Sequence, residues 1–209
     1  MQRKEAGFSM VELLIVVAII VIVSAIAVPN LQRINASYKL DSAEHSAASL
    51  MQQARLQAVR NNQPTYVQYD ASKSPNMVFV NADLAAYAAS DPDVELAIPL
   101  AFQTAGLPDH GQLDAYLGVS TAPGSPKVQI GTPIGYNARG LPCVEGAAGP
   151  VVCQQQDASG ATPVFEWFIS NGRGGWGAIT VTAAGRVKTW RMVSQNAATG
   201  SCGYAACWQ

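Results

Sequence analysis

Four cysteines can form covalent cross-links, and all four lie in the C-terminal third of the 209-residue chain: Cys143, Cys153, Cys202 and Cys207. No C-x-x-C pair occurs and the chain has only two histidines, so the spacing does not favour a structural zinc site. An even number of cysteines in an exported domain is typical of disulfides. Of three possible connectivities we favour Cys143–Cys153 and Cys202–Cys207, because each closes a short loop. Four buried free thiols are the alternative.

A second group of residues suits contact with phosphate. Glu166 is the last acidic residue, and the basic residues that follow it are Arg173, Arg186, Lys188 and Arg191. Side chains alternate along a strand, so Arg186, Lys188 and Trp190 are expected on one face, opposite Val187, Thr189 and Arg191. Cations beside an indole favour phosphate contact and base stacking, which predicts weak, sequence-independent binding of double-stranded DNA. Ordinary solubilising charge is the alternative, since the formal net charge is −1.

One carboxylate, Glu12, stands at the start of a long apolar run. Residues 8–28 form a helix of about 31 Å at ~1.5 Å per residue, which matches a bilayer core of ~30 Å. Arg3 and Lys4 keep the preceding residues in the cytoplasm and place the rest of the chain on the far side of the membrane. A carboxylate in such a helix is costly and needs a positive partner.

A secretory signal peptide is the alternative for this segment. Arg3 and Lys4 are then its basic region, residues 13–23 its apolar core, and residues 25–27 (Ala-Ile-Ala) its cleavage site. Pro29 lies close to that cut, and a signal peptide gives Glu12 no purpose.

The sequence GFSMVELL (residues 7–14) resembles the leader junction of type IV pilins and type II secretion pseudopilins. In that family a prepilin peptidase cuts after the glycine and methylates the new N-terminal residue. The resemblance implies a cut after Gly7, N-methylation of Phe8, and a filament-assembly role for Glu12, paired with the N-terminal amine of a neighbouring subunit. Such a buried pair would also set the register between subunits. Pro29 matches the proline that kinks or locally melts the pilin helix.

The motifs of enzymes are weak in this chain. Residues 172–177 (GRGGWG) fit G-x-G-x-x-G, but no acidic residue follows and a strand rather than a helix comes next. We therefore predict a hairpin turn there, with Arg173 at its tip. No nucleophile–histidine pair, nucleotide-binding loop or metal cluster is recognised, so the expectation is no enzyme, no cofactor and no metal.

The pattern of the remaining chain predicts an α+β protein, in which a long N-terminal helix packs on a C-terminal antiparallel β-sheet head. An apolar stripe at steps of three and four residues continues the helix: Leu31, Ile34, Tyr38, Ala47, Leu50, Met51, Ala54 and Ala58. Charged residues, including Asp41 and Glu44, lie mostly off the stripe. Strands are predicted at 65–69, 77–81, 94–98, 127–130, 134–136, 164–169, 178–182 and 186–192. Residues 99–126 are predicted to be a loop-rich insertion. The domains expected are a leader (1–7), the helix (8–62, with 8–28 in the membrane) and a periplasmic head (63–209).

Three further segments resemble GspH/FimT-type minor pilins and pseudopilins: IGYNARG (134–140), ITVTAAGRV (179–187) and ARLQAVRNN (54–62). This implies a minor type IV pilin in the inner membrane that later enters the pilus, with other pilins, the prepilin peptidase and the assembly platform as partners. A subset of such pilins binds DNA through Gly-Arg-x-Arg. Here Gly185, Arg186 and Lys188 replace the last arginine with lysine, which keeps the charge but loses bidentate geometry. The alternative is the H-type pseudopilin of a type II secretion system.

Overall fold

The computed structural model describes residues 9–82, 94–122, 125–131, 133–145, 153–156, 159–193 and 207–209. The chain divides into two units, one up to Tyr38 and the other from Lys39 to Gln209. Helix α1 spans Met10–Asn61 and contributes residues to both units.

In the first unit α1 is largely apolar, and most of its described side chains are exposed. The helix opens with the amide of Leu13 donating to the carbonyl oxygen of Ser9 at 3.2 Å. Its most apolar window has a mean hydropathy of 3.1, with no residue of that described stretch buried. By length and composition the helix can cross a membrane. Pro29 lies inside α1 and does not end it.

The second unit contains two β-sheets. The strands of the first sheet are β1 (Thr65–Asp70), β2 (Asn76–Asn81), β3 (Glu95–Ile98), β6 (Ile134–Tyr136), β7 (Pro142–Glu145) and β8 (Cys153–Gln154). They lie in the order β3-β2-β1-β6-β7-β8. The strands of the second sheet are β4 (Phe102–Gln103), β5 (Lys127–Ile130), β9 (Pro163–Ser170), β10 (Trp176–Val181) and β11 (Val187–Arg191). They lie in the order β11-β10-β9-β4, with β5 also paired to β9.

The strand pairing is antiparallel as predicted, with one exception among the described strands. β5 runs parallel to β9, with Lys127 opposite Pro163 and Ile130 opposite Glu166. A parallel pair needs a long crossover connection, and the chain between β5 and β9 supplies one by forming β6, β7 and β8 on the way. The predicted α+β fold class is confirmed, with this parallel pair as a local addition.

The main core lies between the second half of α1 and both sheets. From α1 it takes an Ala-rich face that lets the helix approach the strands closely, including Ala47, Met51, Ala54 and Ala58. β9 contributes Phe165, Trp167 and Ile169, which alternate along the strand and so share one face. Burial of this apolar surface is the dominant favourable term in holding the helix on the sheets.

The predicted helical stripe is partly wrong. Ala47, Leu50, Met51, Ala54 and Ala58 are buried as expected, whereas Leu31, Ile34 and Tyr38 are exposed. The buried face of α1 begins at Leu40. Glu44, expected off the stripe, is instead buried.

Residues 99–126 are not simply a loop. They contain β4 and a short helix, α2 (Gly111–Leu117), whose Leu113 and Leu117 are buried. Gly118 ends α2 in the left-handed conformation at φ 75°, which glycine adopts without strain. A second core cluster lies beneath α2 and comprises Leu113, Phe168, Ala178, Trp190, Cys207 and Trp208. The sheet containing β9 is therefore covered on both faces.

Candidate functional site

The predicted processing site lies at the N-terminus, and Gly7 and Phe8 are outside the described residues. Glu12 lies in the first turn of α1, where a carboxylate interacts favourably with the positive end of the helix dipole. The neighbouring side chains of Val11 and Leu13 are apolar and exposed. One carboxylate therefore lies at the start of an otherwise apolar helix surface. This carboxylate can pair with a positive group.

Arg55 of α1 joins two turns of the head. Its Nε donates to the carbonyl oxygen of Gly140 at 2.9 Å, and its Nη1 donates to that of Gly185 at 3.0 Å. A third donor, Nη2, reaches the carbonyl oxygen of Ala184 at 3.3 Å. Segments 54–62, 134–140 and 179–187 thus meet at one guanidinium.

Both glycines of these turns are needed for their conformation. Gly140 has φ 73° and Gly185 has φ 75°, a region that side chains other than glycine rarely adopt. A Cβ at position 185 would also lie 2.7 Å from the carbonyl oxygen of Gly140. The turns therefore approach each other closely enough for one arginine to bind both.

The predicted hairpin turn at residues 172–177 is confirmed. β9 and β10 are antiparallel neighbours, and Asn171 closes the turn between them. The Oδ1 atom of Asn171 accepts hydrogen bonds from the amides of Arg173 and Gly175, both at 2.9 Å. Arg173 is exposed at the tip of the turn.

The predicted DNA-binding set is divided between the two faces of β11. Trp190 and Lys188 share the face that α2 covers, where Trp190 is only 5% exposed and its Nε1 donates to Thr180 Oγ1 at 2.9 Å. The Lys188 ammonium lies 3.3 Å from the centre of the Trp190 ring and 5.0 Å from that of Tyr116. The expectation that Trp190 offers a ring for base stacking is therefore wrong, because the fold buries that ring.

The remaining cations of that set are placed differently. Arg191 lies on the opposite face, where its Nη1 forms an ion pair with Asp41 of α1. Arg186 is exposed just before β11 begins. Arg173 and Arg186 are therefore the members of the set exposed to solvent, while Lys188 is held against aromatic rings.

The structure joins Cys143 to Cys153, the first of the two predicted disulfides, with their Cα atoms 5.2 Å apart. Cys207 is also disulfide-bonded. Cys202, its predicted partner, lies outside the described residues, so that pairing stays a prediction.

Two buried acids were not recognised from the sequence. Glu44 is 3% exposed, and burial raises its pKa to about 8, partly offset by the Arg191 cation and reinforced by Asp41. Glu166 is fully buried, and burial, with the Asp114 charge, raises its pKa to about 8. The signal that could have revealed Glu166 is a charged residue inside the largely apolar strand PVFEWFIS (163–170).

Glu166 is part of a cluster that the sequence does not suggest. Three side chains each place one potential ligand atom within 4.8 Å of the other two: His110, Asp114 and Glu166. His110 and Asp114 are four residues apart and face the same way at the start of α2, whereas Glu166 comes from β9. Only the packing of α2 on the sheet brings the three together.

Residues 2–28 match the family model described as the prokaryotic N-terminal methylation motif. This motif is the N-terminal segment of type IV pilins and pseudopilins, and it includes Gly7, Phe8 and Glu12. No curated protein and no solved structure matches the chain. The comparison thus identifies the class of the N-terminal segment, residues 2–28.

Proposed function

We propose that this chain is a type IV pilin-like subunit that is processed at Gly7, anchored in the inner membrane by α1 and then built into a filament. The observation that carries the proposal is the methylation motif over residues 2–28, which overlaps the start of a helix (Met10–Asn61) long and apolar enough to span a membrane. The second unit, from Lys39 onward, has its own core and disulfide, which suits an oxidising periplasm.

In this proposal Glu12 positions each subunit in the filament. Its carboxylate becomes buried among apolar helices, where burying an unpaired charge costs on the order of several kcal/mol of free energy. The methylated amine of Phe8 in a neighbouring subunit supplies the compensating positive charge. This pairing also fixes the axial register, since a helix displaced along its neighbour leaves two buried charges unpaired.

The substitution Glu12→Val tests this role. We expect the variant to insert into the membrane at least as well as wild type, since a charge is removed from a membrane helix. It should nonetheless be depleted from sheared filaments by about tenfold or more, measured by immunoblot of filament and membrane fractions. Glu12→Asp is the matched control that keeps the charge and should be depleted less. Wild-type amounts of Glu12→Val in filaments would contradict the role.

The finer assignment is a GspH/FimT-type minor pilin. Its support is the convergence of the three resembling segments on Arg55. An H-type pseudopilin of a type II secretion system has the same N-terminal segment and is the alternative. Disrupting the gene should abolish pilus-dependent traits in the first case and leave folded exoproteins in the periplasm in the second.

Capture of DNA for uptake is a second function proposed for the pilin. The exposure of Arg186 and Arg173 favours it, together with the lack of acidic residues after Glu166. Because Trp190 is buried, such binding would rest on phosphate contacts without base stacking.

A further inference from the structure

We propose that His110, Asp114 and Glu166 form a binding site for a divalent transition-metal cation of the Zn²⁺ class, which fastens α2 to β9. The sequence predicts no metal site, because the pair His110 and Asp114 is far along the chain from Glu166. The fold brings one ligand atom from each residue within 4.8 Å of the others.

Glu166 supplies the strongest reason for a ligand at this point. Its side chain is fully buried, and neither carboxylate oxygen has a hydrogen-bond partner among the described residues. Buried polar groups are nearly always satisfied, so two orphan acceptors on one carboxylate require an explanation. A cation between Glu166, Asp114 and His110 would satisfy them directly.

The imidazole of His110 is held by two contacts. Its Nδ1 lies 3.0 Å from the carbonyl oxygen of Pro108, an acceptor that fixes the proton on Nδ1 and leaves the lone pair on Nε2. Ligating histidines commonly use the second nitrogen in this way, donating to a backbone carbonyl. The ring also packs against Phe168, with centroids 5.5 Å apart, which limits its rotation.

The elements that carry the ligands are themselves held in place. Gln112 of α2 exchanges two hydrogen bonds with the backbone of Trp208, at 2.8 and 3.0 Å. The Trp208 indole donates to the carbonyl oxygen of Asp109 at 2.8 Å. Trp208 in turn bridges to Met192, just after β11. The sheet and the C-terminal residues therefore position the first turn of α2 directly over Glu166.

The donor set selects the kind of cation. One imidazole and two carboxylates suit Zn²⁺, Mn²⁺ or Fe²⁺, whereas Ca²⁺ and Mg²⁺ prefer oxygen ligands alone. Ligands of tetrahedral Zn²⁺ lie about 3.4 Å apart at bond lengths of about 2.0–2.2 Å, so the ligand atoms, now within 4.8 Å of one another, would move closer together on binding. His110 and Asp114 are partly exposed, which gives the cation a path from solvent and leaves room for water as a further ligand.

The full chain, purified in detergent and freed of metal with a chelator, is the sample for the test. It is titrated with Zn²⁺ against a chromophoric competitor, and with Co²⁺ while the visible absorption is recorded. The variants are Glu166→Gln and His110→Gln. The matched control is His45→Gln, which changes the other histidine of the chain, exposed on α1.

We expect one Zn²⁺ per chain for wild type and His45→Gln, and at least about tenfold weaker binding for each ligand variant. Zn²⁺ should raise the unfolding midpoint of wild type and not that of Glu166→Gln. Should Glu166→Gln fail to fold, Asp114→Asn at the partly exposed ligand makes the same comparison. Equal Zn²⁺ affinity in wild type and the ligand variants, no saturable Zn²⁺ binding, or binding of Ca²⁺ or Mg²⁺ alone would overturn the proposal.

Discussion

Glu44 occupies a buried position because the strand opposite it carries a glycine. A Cβ at position 177 would overlap the Glu44 Oε1 atom, so Gly177 provides the space for the carboxyl group. The Oε1 atom has no hydrogen-bond partner among the described residues. The charged form is therefore disfavoured, and the pKa of Glu44 rises to about 8 from its usual value of 4.5.

Glu44 should make the stability of the head depend on pH. A folded-state pKa above the unfolded value means that the folded protein binds the proton more tightly. The contribution is complete below about pH 4.5 and is lost as pH rises through about 8. Each pKa unit of difference corresponds to about 1.4 kcal/mol. The unfolding midpoint of wild type should therefore fall between pH 5 and pH 8.5, and the midpoint of Glu44→Gln should fall less over the same range.

Thermal unfolding of the full chain in detergent, followed by circular dichroism at both pH values, measures this effect. Glu95→Gln, at an exposed position of β3, is the control and should keep the wild-type pH dependence. Glu166 contributes with the same sign, so Glu44→Gln reduces the slope without abolishing it. An unchanged slope in Glu44→Gln would show that the buried carboxyl group is not the cause.

At the scale of elements, Arg55 links α1 to the turns after β6 and β10. Arg55→Lys keeps the charge but cannot donate to Gly140 and Gly185 in the same forked geometry. We expect a loss of roughly 1–3 kcal/mol in the free energy of unfolding, the range for hydrogen bonds from charged groups. Arg60→Lys, exposed in the last turn of α1, should change it little. Equal stability of the two variants would mean that the fork does not stabilise the head.

The exposed cations Arg173 and Arg186 lead to a separate prediction about DNA. In gel-shift titrations of the full chain in detergent, Arg173→Gln/Arg186→Gln should bind DNA more weakly than wild type, and Lys73→Gln should not. Binding should not depend on the DNA sequence. The logarithm of the association constant should fall linearly with the logarithm of the salt concentration, with a slope of about −0.9 for each phosphate contacted. Equal affinity of wild type and the double variant, or no shift at low salt, would remove DNA capture from this face.

The strands were predictable from the sequence because most have β-branched or aromatic runs bounded by Gly, Pro or Asn. All eight predicted strands are present within two residues of their observed ends. Strands β4, β7 and β8 were missed. β4 and β8 have two residues each, too few for a periodic pattern, and β7 is a four-residue strand that begins with Pro142. Helix α2 was missed because seven residues give only one apolar pair, Leu113 and Leu117.

The contacts between elements were not predictable in the same way. The alternation along β11 correctly placed Lys188 and Trp190 on one face, but it did not reveal that α2 covers this face. The approach of His110 to Glu166 depends equally on the position of α2. Local patterns report which residues share a face of an element, whereas burial of that face depends on elements distant in the sequence.

At the scale of the whole molecule, the N-terminal segment supports the proposal of a pilin-like subunit more strongly than the head does. The segment has both a family match and a helix of the right composition. The head is described by its own core, its disulfide and the Arg55 contacts. The central claim is therefore that residues 1–7 are a leader removed before α1 enters a filament.

Mass spectrometry of the N-terminal peptide of the membrane-extracted protein tests that claim most directly. We predict a chain that begins with N-methylated Phe8 in wild type, and one that retains residues 1–7 when Gly7→Ala blocks the peptidase. Gly7→Ala protein should also be absent from sheared filaments and remain in the inner membrane. A wild-type chain that begins at Val28 or Pro29, as a cleaved signal peptide would give, or one that still carries residues 1–7, would contradict the account.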